Sequence, residues 1–310
     1  MNVIFHYAAG VDLAARLAAI ARLNVTVVPE ADDAALFRLL AETDVLWHVL
    51  KPCTAAMIEA APGLKLIQKI GVGVNTIDLD AARARGIPVC NLPGTNAQAV
   101  AELTLLLMLA CLRKLTRYDT AMHAGAGWSL PLATQDGLGE LSGRTVGLVG
   151  YGAIPQILAP VLRALGCRVI YTALRPRVDA ACVTLPDLLA EADILSLHLP
   201  QTPEATGMID ARALARMKRG SILINTARGG LVDQLALVAA LRSGHLAAAG
   251  LDVFAQEPPD PADPIYALEN VVLTPHIGWL TSGTFARSFS IAAENCRRLA
   301  AREDLLHRVA

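Results

Sequence analysis

"GLVGYGAIPQ", residues 147–156, is the stretch whose reading decides the fold. It follows "ELSGRTV" and leads into "ILAPVLRALGCRVIYTALRPR". The apolar run "TVGLVG" reads as a buried parallel strand, and "ILAPVLRALG" has helical periodicity closed by Gly166. Gly150 and Gly152 stand as the first two glycines of a dinucleotide fingerprint, while Pro155 takes the place of the third. Gly150 permits a tight turn, and Gly152 lets a pyrophosphate approach the backbone ahead of Ala153 and Ile154 at a helix N-terminus. Pro155 falls in the first helical turn, where a missing N–H breaks no intrahelical bond. It also disfavours α geometry at Ile154, so a displaced first turn is expected. Taken alone, the segment fits either a cofactor loop or a strand–turn–helix that happens to carry glycines.

Outward from this point, short β-branched runs alternate with Ala- and Leu-rich helical stretches, the pattern of parallel sheets covered by helices. Upstream strands are expected in "NVIFHY", "NVTVVP", "DVLWHVL", "KLIQKIG" and "IPVCNLP", with helices at Asp12–Arg22 and Asp32–Leu40. A long apolar helix follows from Ala97 to beyond Leu112. The second series runs through "TVGLVG", "CRVIYTA", "ILSLHLP", "SILINTA", "AAAGLDVF" and "VVLTPHI", and a closing helix starts near Ser282. The fingerprint opens the second series, which makes that half the nucleotide domain and the first the substrate domain. At 310 residues, two α/β domains are expected.

Hydrophobic residues at 54% and charged residues at 18% provide a large core, and a formal net charge of -1 argues against a nucleic-acid or anionic-membrane surface. "AELTLLLMLACL" is bracketed too tightly by Glu102 and Arg113 to span a bilayer. The N-terminus shows no basic leader, and the six cysteines show no paired short spacing, which points to free thiols in a reducing cytoplasm. No metal-ligand spacing occurs.

Chemistry concentrates at strand ends of the second series. "RVIYTALRPR" has Ala173 where an NAD site usually carries an acid, followed by Arg175 and Arg177, a pair suited to a 2′-phosphate. The alternative is a solvated basic loop. "INTARGGLVD" places Arg228, "GLDVFAQEPP" places Asp252 and Glu257, and "VVLTPHIGW" places His276, each just past a strand on the ligand side of a doubly wound sheet. Singly these are ordinary. Together an Arg, a Glu and a His suit proton and hydride chemistry. His198, in "SLHLP", lacks a nearby acid and ranks below His276; His6, His48, His123, His245 and His307 show no motif and read as structural or exposed.

"GLVGYGAI", "SLHLPQTPEATGMI", "MKRGSILINTARGGLVD", "AAAGLDVFAQEPP" and "VVLTPHIG" resemble the NAD(P)-dependent D-2-hydroxyacid dehydrogenase family, which includes phosphoglycerate dehydrogenases and glyoxylate/hydroxypyruvate reductases. The likeness extends upstream through "LKLIQKIGVGVNTIDLDAARARGIPVCNLPGTNAQAVAELT" to about residue 60. It implies two doubly wound parallel-sheet α/β domains: a Rossmann cofactor domain over residues 96–282 and a discontinuous, flavodoxin-like substrate domain over 1–95 and 283–310. In that family the active site lies in the cleft between them. By position, Arg228 then binds the substrate carboxylate and carbonyl, His276 is the acid/base and Glu257 its partner. The amides of Val72 and Gly73 hold the carboxylate. Asp252 meets the nicotinamide carboxamide, Thr104 lies near the phosphates, and Pro200 and Thr226 complete the cofactor set with Gly150, Gly152, Ala153, Ile154 and Arg175. Pro155, Leu103, Asn75 and Ala173 depart from the family pattern without removing a catalytic group.

The residue chemistry agrees. An Arg fork orients a 2-oxoacid, and a carboxylate beside an imidazole favours its protonated form. The expected protein is a cytoplasmic 2-oxoacid reductase that prefers NADP(H) and also accepts NAD(H). Its partners are a small 2-oxoacid or 2-hydroxyacid, with no nucleic acid or membrane, and a second copy joined through the nucleotide domain near "AGAGWS". Trp279 either narrows the substrate pocket or merely packs, and Lys69 either attracts a polar substrate group or is a solvated strand residue. A dinucleotide-sensing binding protein or corepressor, and a formate or phosphite dehydrogenase, are the competing readings; the intact Arg228, Glu257 and His276 set favours the reductase.

Overall fold

Apolar runs bounded by turn residues form two parallel sheets in the computed structural model, which describes residues 1–175 and 181–310. The first sheet contains β1 (Asn2–His6), β2 (Asn24–Val28), β3 (Val45–His48), β4 (Leu66–Lys69) and β5 (Val89–Cys90), in the order β2-β1-β3-β4-β5. The second contains β6 (Thr145–Val149), β7 (Arg168–Thr172), β8 (Ala181–Cys182), β9 (Ile194–Leu197), β10 (Ser221–Asn225), β11 (Leu246–Leu251) and β12 (Val271–Leu273), in the order β12-β11-β10-β9-β6-β7-β8. β8 escapes a reading by pattern because both of its residues are exposed and there are only two of them.

Both orders are doubly wound. The direction of winding reverses between β1 and β3 in the first sheet and between β6 and β9 in the second. Such switch points open a crevice at the carboxyl ends of the strands, where ligands of α/β sheets bind. The strands there, such as β6 and β9, are buried along their whole length, as helices on both faces require.

The chain forms two compact units, Met1–Asn96 with Thr281–Ala310, and Ala97–Leu280. In the first, the closing helix Ser282–Ala301 lays Phe289 against Trp47 (ring centroids 5.7 Å apart) and stacks Phe285 on Phe289. Asn295 on that helix donates to Gln68 Oε1 at 2.7 Å inside the core, and Val309 N–H donates to the Val89 carbonyl beyond it. In the second unit the helix Ala97–Arg113 lies directly on β10 and β11. A Cβ on Gly250 of β11 would come within 2.9 Å of Leu107 Cβ, so the glycine permits that approach.

Helix starts follow the sequence closely. Asp32, Thr54, Asp78, Asp210, Asp233 and Thr281 each accept the backbone N–H three residues on, contributing about 1 kcal/mol per cap. Ends follow it less well. The first helix covers Val11–Ala18 and stops short of Arg22, which takes a left-handed φ of 66° to feed β2.

Candidate active site

Two clusters occupy the strand ends of the second sheet. The first surrounds its switch point. Gly150 follows β6 with a φ of 96°, and a Cβ there would stand 2.5 Å from the His198 carbonyl oxygen, so no other residue fits. Gly152 caps the helix Ala153–Ala164, and a Cβ there would meet nothing within 4 Å. Internal packing does not ask for that glycine, and exposed Gly152 and Ala153 leave the start of the helix open to a phosphate group. Pro155 is buried in this turn, yet Gln156 N–H still donates to the Gly152 carbonyl at 3.2 Å. The expected displacement is absent, because Pro155 replaces an amide that would have lacked an intrahelical partner.

Around this turn, Pro200 is exposed beyond β9 and Arg175 is exposed beyond Ala173. Arg177 lies outside the described residues. Thr226, nearly buried at the end of β10, shares a 2.9 Å hydrogen bond with Thr104, which also donates to the Val100 carbonyl. Thr104 is fully buried, so it supports Thr226 and presents no surface of its own. An exposed helix N-terminus behind a glycine turn, with hydroxyl and guanidinium groups at adjoining strand ends, fits a dinucleotide.

The second cluster brings Arg228, Asp252, Glu257, His276 and Trp279 together. Asn225 at the end of β10 clasps its own loop: its Oδ1 accepts Ala227 N–H at 3.0 Å, and its Nδ2 donates to the Arg228 carbonyl at 2.9 Å. Gly229 then lies on the next loop so closely that a Cβ would sit 1.9 Å from the Phe254 carbonyl carbon and oxygen. This backbone contact holds the Arg228 loop against the Glu257 loop. Burial lowers the Arg228 pKa, opposed by the Glu257 charge.

Glu257 uses both oxygens. Oε1 accepts Phe254 N–H at 3.0 Å, and Oε2 meets His276 Nδ1 at 2.6 Å. Burial alone would raise its pKa, but the His276 hydrogen bond and charge, the Phe254 amide and Arg228 together hold the carboxyl below its ordinary range.

His276 stands on a left-handed residue, φ 55°, a conformation that costs an L side chain about 1–3 kcal/mol. Its neighbours hold it there. Its N–H donates to the Asp252 carbonyl at 2.8 Å, and its own carbonyl accepts Trp279 Nε1–H at 3.0 Å. Asp252 accepts from Thr274 Oγ1 at 2.6 Å and from the amides of Ile277 and Gly278 at 2.9 and 2.8 Å. Burial nevertheless pushes the Asp252 carboxyl above its ordinary range. Asp252 and Trp279 are thus scaffold for the His276 turn. Whatever Trp279 does to a substrate, its indole N–H is engaged with the backbone.

His198 shows the contrast. Its Nε2 meets Ser196 Oγ at 2.9 Å, its Nδ1 is buried without a partner among the described residues, and burial drives its pKa to about 3. Among the described residues it has no carboxylate partner like that of His276.

Lys69, Val72 and Gly73 belong to the first unit. Lys69 ends β4 and is buried; Val72 is exposed, and the turn's carbonyls are anchored by Leu92 N–H on Gly71 (2.8 Å) and Asn91 Nδ2 on Val72 (2.9 Å). Asn225 and Gly229 do not stand out in the sequence as site residues. A buried amide at the end of an apolar strand, followed by paired glycines, is the only trace they leave in the sequence.

Comparison with known proteins bears on this arrangement directly. Residues 105–278 match the family model for the NAD binding domain of D-isomer specific 2-hydroxyacid dehydrogenases. A D-3-phosphoglycerate dehydrogenase of Mycobacterium leprae is 42% identical over 281 residues, 88% of this chain and 50% of that protein; the chain thus spans about half its length. A hydroxypyruvate reductase of Thermotoga maritima is 40% identical over 253 residues, 80% of this chain and 81% of its own. The crystal structure of the TT0316 protein from Thermus thermophilus superposes with a TM-score of 0.88 at 39% identity, covering 100% of both chains. From the extent of these matches, the chain belongs to the D-isomer specific 2-hydroxyacid dehydrogenase family.

Proposed function

We propose that the protein interconverts small 2-oxoacids and D-2-hydroxyacids with a nicotinamide dinucleotide, as a glyoxylate- or hydroxypyruvate-type reductase. The 2.6 Å contact between His276 Nδ1 and Glu257 Oε2, with Arg228 on the adjoining loop, carries this reading. When bound, the cofactor supplies hydride to the carbonyl carbon. Arg228 binds and orients the carboxylate and carbonyl of the substrate, and His276 gives its proton to the carbonyl oxygen from Nε2 while Glu257 holds Nδ1. Val72 and Gly73 hold the carboxylate by their amides, with Lys69 adding positive charge nearby.

Gly150, Gly152, Ala153, Ile154, Pro200 and Thr226 hold the dinucleotide, Thr104 acts through Thr226, and Asp252 serves the nicotinamide end while anchoring the His276 turn. Arg175 takes the 2′-phosphate, which makes NADP(H) the preferred cofactor; its exposure and the missing acid at Ala173 support that choice. Residues 1–95 with 283–310 form the substrate domain and 96–282 the cofactor domain. A second copy joins through the cofactor unit, where Trp128 is 94% exposed beside exposed Met122 and Leu132. No helix among the described residues is long and apolar enough to cross a membrane. Unpaired cysteines, five buried and Cys182 exposed, support a cytoplasmic location.

The test is a panel of glyoxylate, hydroxypyruvate and phenylpyruvate with NADH and NADPH, followed at the nicotinamide absorbance. The two small acids should turn over faster than phenylpyruvate. NADPH should be favoured by roughly ten- to a hundredfold, the value of a charge-assisted contact, and Arg175→Ala should remove most of that. A chain that consumes neither cofactor with any 2-oxoacid is not this enzyme, and a preference for NADH refutes the Arg175 assignment.

A further inference from the structure

The first sheet carries a polar row of which the proposed chemistry uses only Lys69. His6, His48 and Lys69 are the last residues of β1, β3 and β4, and they are register partners across the sheet: His6 opposite His48, and His48 opposite Lys69. Partners in a parallel sheet leave the same face, so the three side chains stand side by side at the first sheet's switch point. All three are buried.

The hydrogen bonds set the order of the row. His48 Nε2 lies 2.7 Å from the Lys51 carbonyl oxygen, which can only accept, so Nε2 carries the hydrogen. Nδ1 is then the acceptor, and Lys69 Nζ lies 3.4 Å from it while also donating to the Val49 carbonyl. Burial, reinforced by the Lys69 charge, pushes His48 down to about 3, and burial lowers His6 as well, so neither imidazole places a second positive charge beside the ammonium. The Lys69 stem runs over the glycine turn: a Cβ on Gly71 would be 3.4 Å from Lys69 Cε.

We propose that His48 is a positioning residue for Lys69: with its Nε2–H tied to Lys51, its Nδ1 lone pair joins the Val49 carbonyl in holding the ammonium beside the Gly71–Gly73 turn, where the charge attracts the substrate carboxylate. An ammonium inside a protein requires acceptors, and a neutral imidazole is an acceptor that carries no negative charge of its own. His48 touches no substrate in this role. The inference rests on the 2-oxoacid reading for the meaning of the charge, but not for the contact itself.

Two measurements on the full chain test it. In protein labelled with ¹⁵N-histidine, Nδ1 of His48 should resonate as an unprotonated nitrogen, and Lys69→Met should move that resonance while leaving Nε2 nearly in place. With glyoxylate and the preferred nicotinamide cofactor, His48→Leu should raise KM about tenfold, or about 1.4 kcal/mol, with kcat changed by less than about threefold. His48→Asn, which keeps an oxygen acceptor near the Nδ1 position, should recover most of the loss. In a Lys69→Met background, His48→Leu should add little. A Nδ1 resonance unmoved by Lys69→Met, or KM effects that multiply in the double variant, would overturn the proposal. The resonance needs no turnover, so it judges the contact even if the chain proves inactive toward every 2-oxoacid; His48→Asn does the same if His48→Leu fails to fold.

Discussion

The carboxyl ends of the two sheets hold similar residue types in opposite conditions. In the first, His6, His48 and Lys69 end their strands and are buried, and the contact that fixes the His48 ring runs to a backbone carbonyl. In the second, Arg228, Glu257 and His276 stand beyond their strands on loops, with side-chain exposures of 23% for His276 and 37% for Glu257, and the ordering contact runs to a carboxylate. Burial fixes His48 as an acceptor and drives its pKa to about 3. His276 is instead carried out of the sheet on a left-handed residue and held against Glu257. A histidine at a strand end is therefore buried with the sheet or set beside a carboxylate according to whether it is the strand's last residue or lies one turn beyond it.

The largest expected effect breaks the second region alone. His276→Ala should lower turnover by about 10²–10⁴-fold, the range for a positioned acid/base. Dinucleotide affinity, read by nicotinamide fluorescence, should stay near wild type because the fingerprint turn is a separate cluster. Turnover within a few-fold of wild type would remove His276 from the chemistry, and an equal loss in His48→Ala would erase the distinction between the two regions.

Next comes the contact that joins the Arg228 and Glu257 loops. Gly229→Ala would drive a Cβ into backbone atoms 1.9 Å away, which side-chain rotation cannot relieve. A stability loss of about 1–3 kcal/mol is expected from overpacking, together with a raised KM as Arg228 moves. Urea unfolding gives the first quantity and steady-state kinetics the second. An alanine variant with unchanged midpoint and KM would show that the two loops are not held by this approach.

The smallest effect concerns pH. The folded-state pKa of Glu257 lies below its ordinary value, so its charged form contributes stability that is fully present above the unfolded carboxyl value of about 4.3 and is lost as pH falls through the folded value. The wild type's advantage over Glu257→Gln should accordingly be constant near neutrality and shrink on acidification. Asp252 titrates in the opposite sense, since burial raises its pKa, so the difference between the two proteins is more informative than either curve. An advantage that grows as pH falls would mean that His276 and Arg228 do not stabilise the carboxylate.

Much of this is legible in the amino-acid sequence. The parallel strands around Gly150 and the ligand-side placement of Arg228, Glu257 and His276 follow from apolar runs that end in polar residues, because a buried strand can carry such groups only where it leaves the sheet. Helix starts were legible for the same kind of reason: a capping side chain acts three residues away. Tertiary structure alone decided the rest. β8 has too few residues to form a pattern, and the undisturbed turn at Pro155 goes with a ring that the folded protein buries. Gly229 against Phe254 and the His48–Lys69 contact are matters of which atoms meet across loops and neighbouring strands. Local propensity cannot encode them, since both depend on register and close approach established only once the sheets and helices have packed.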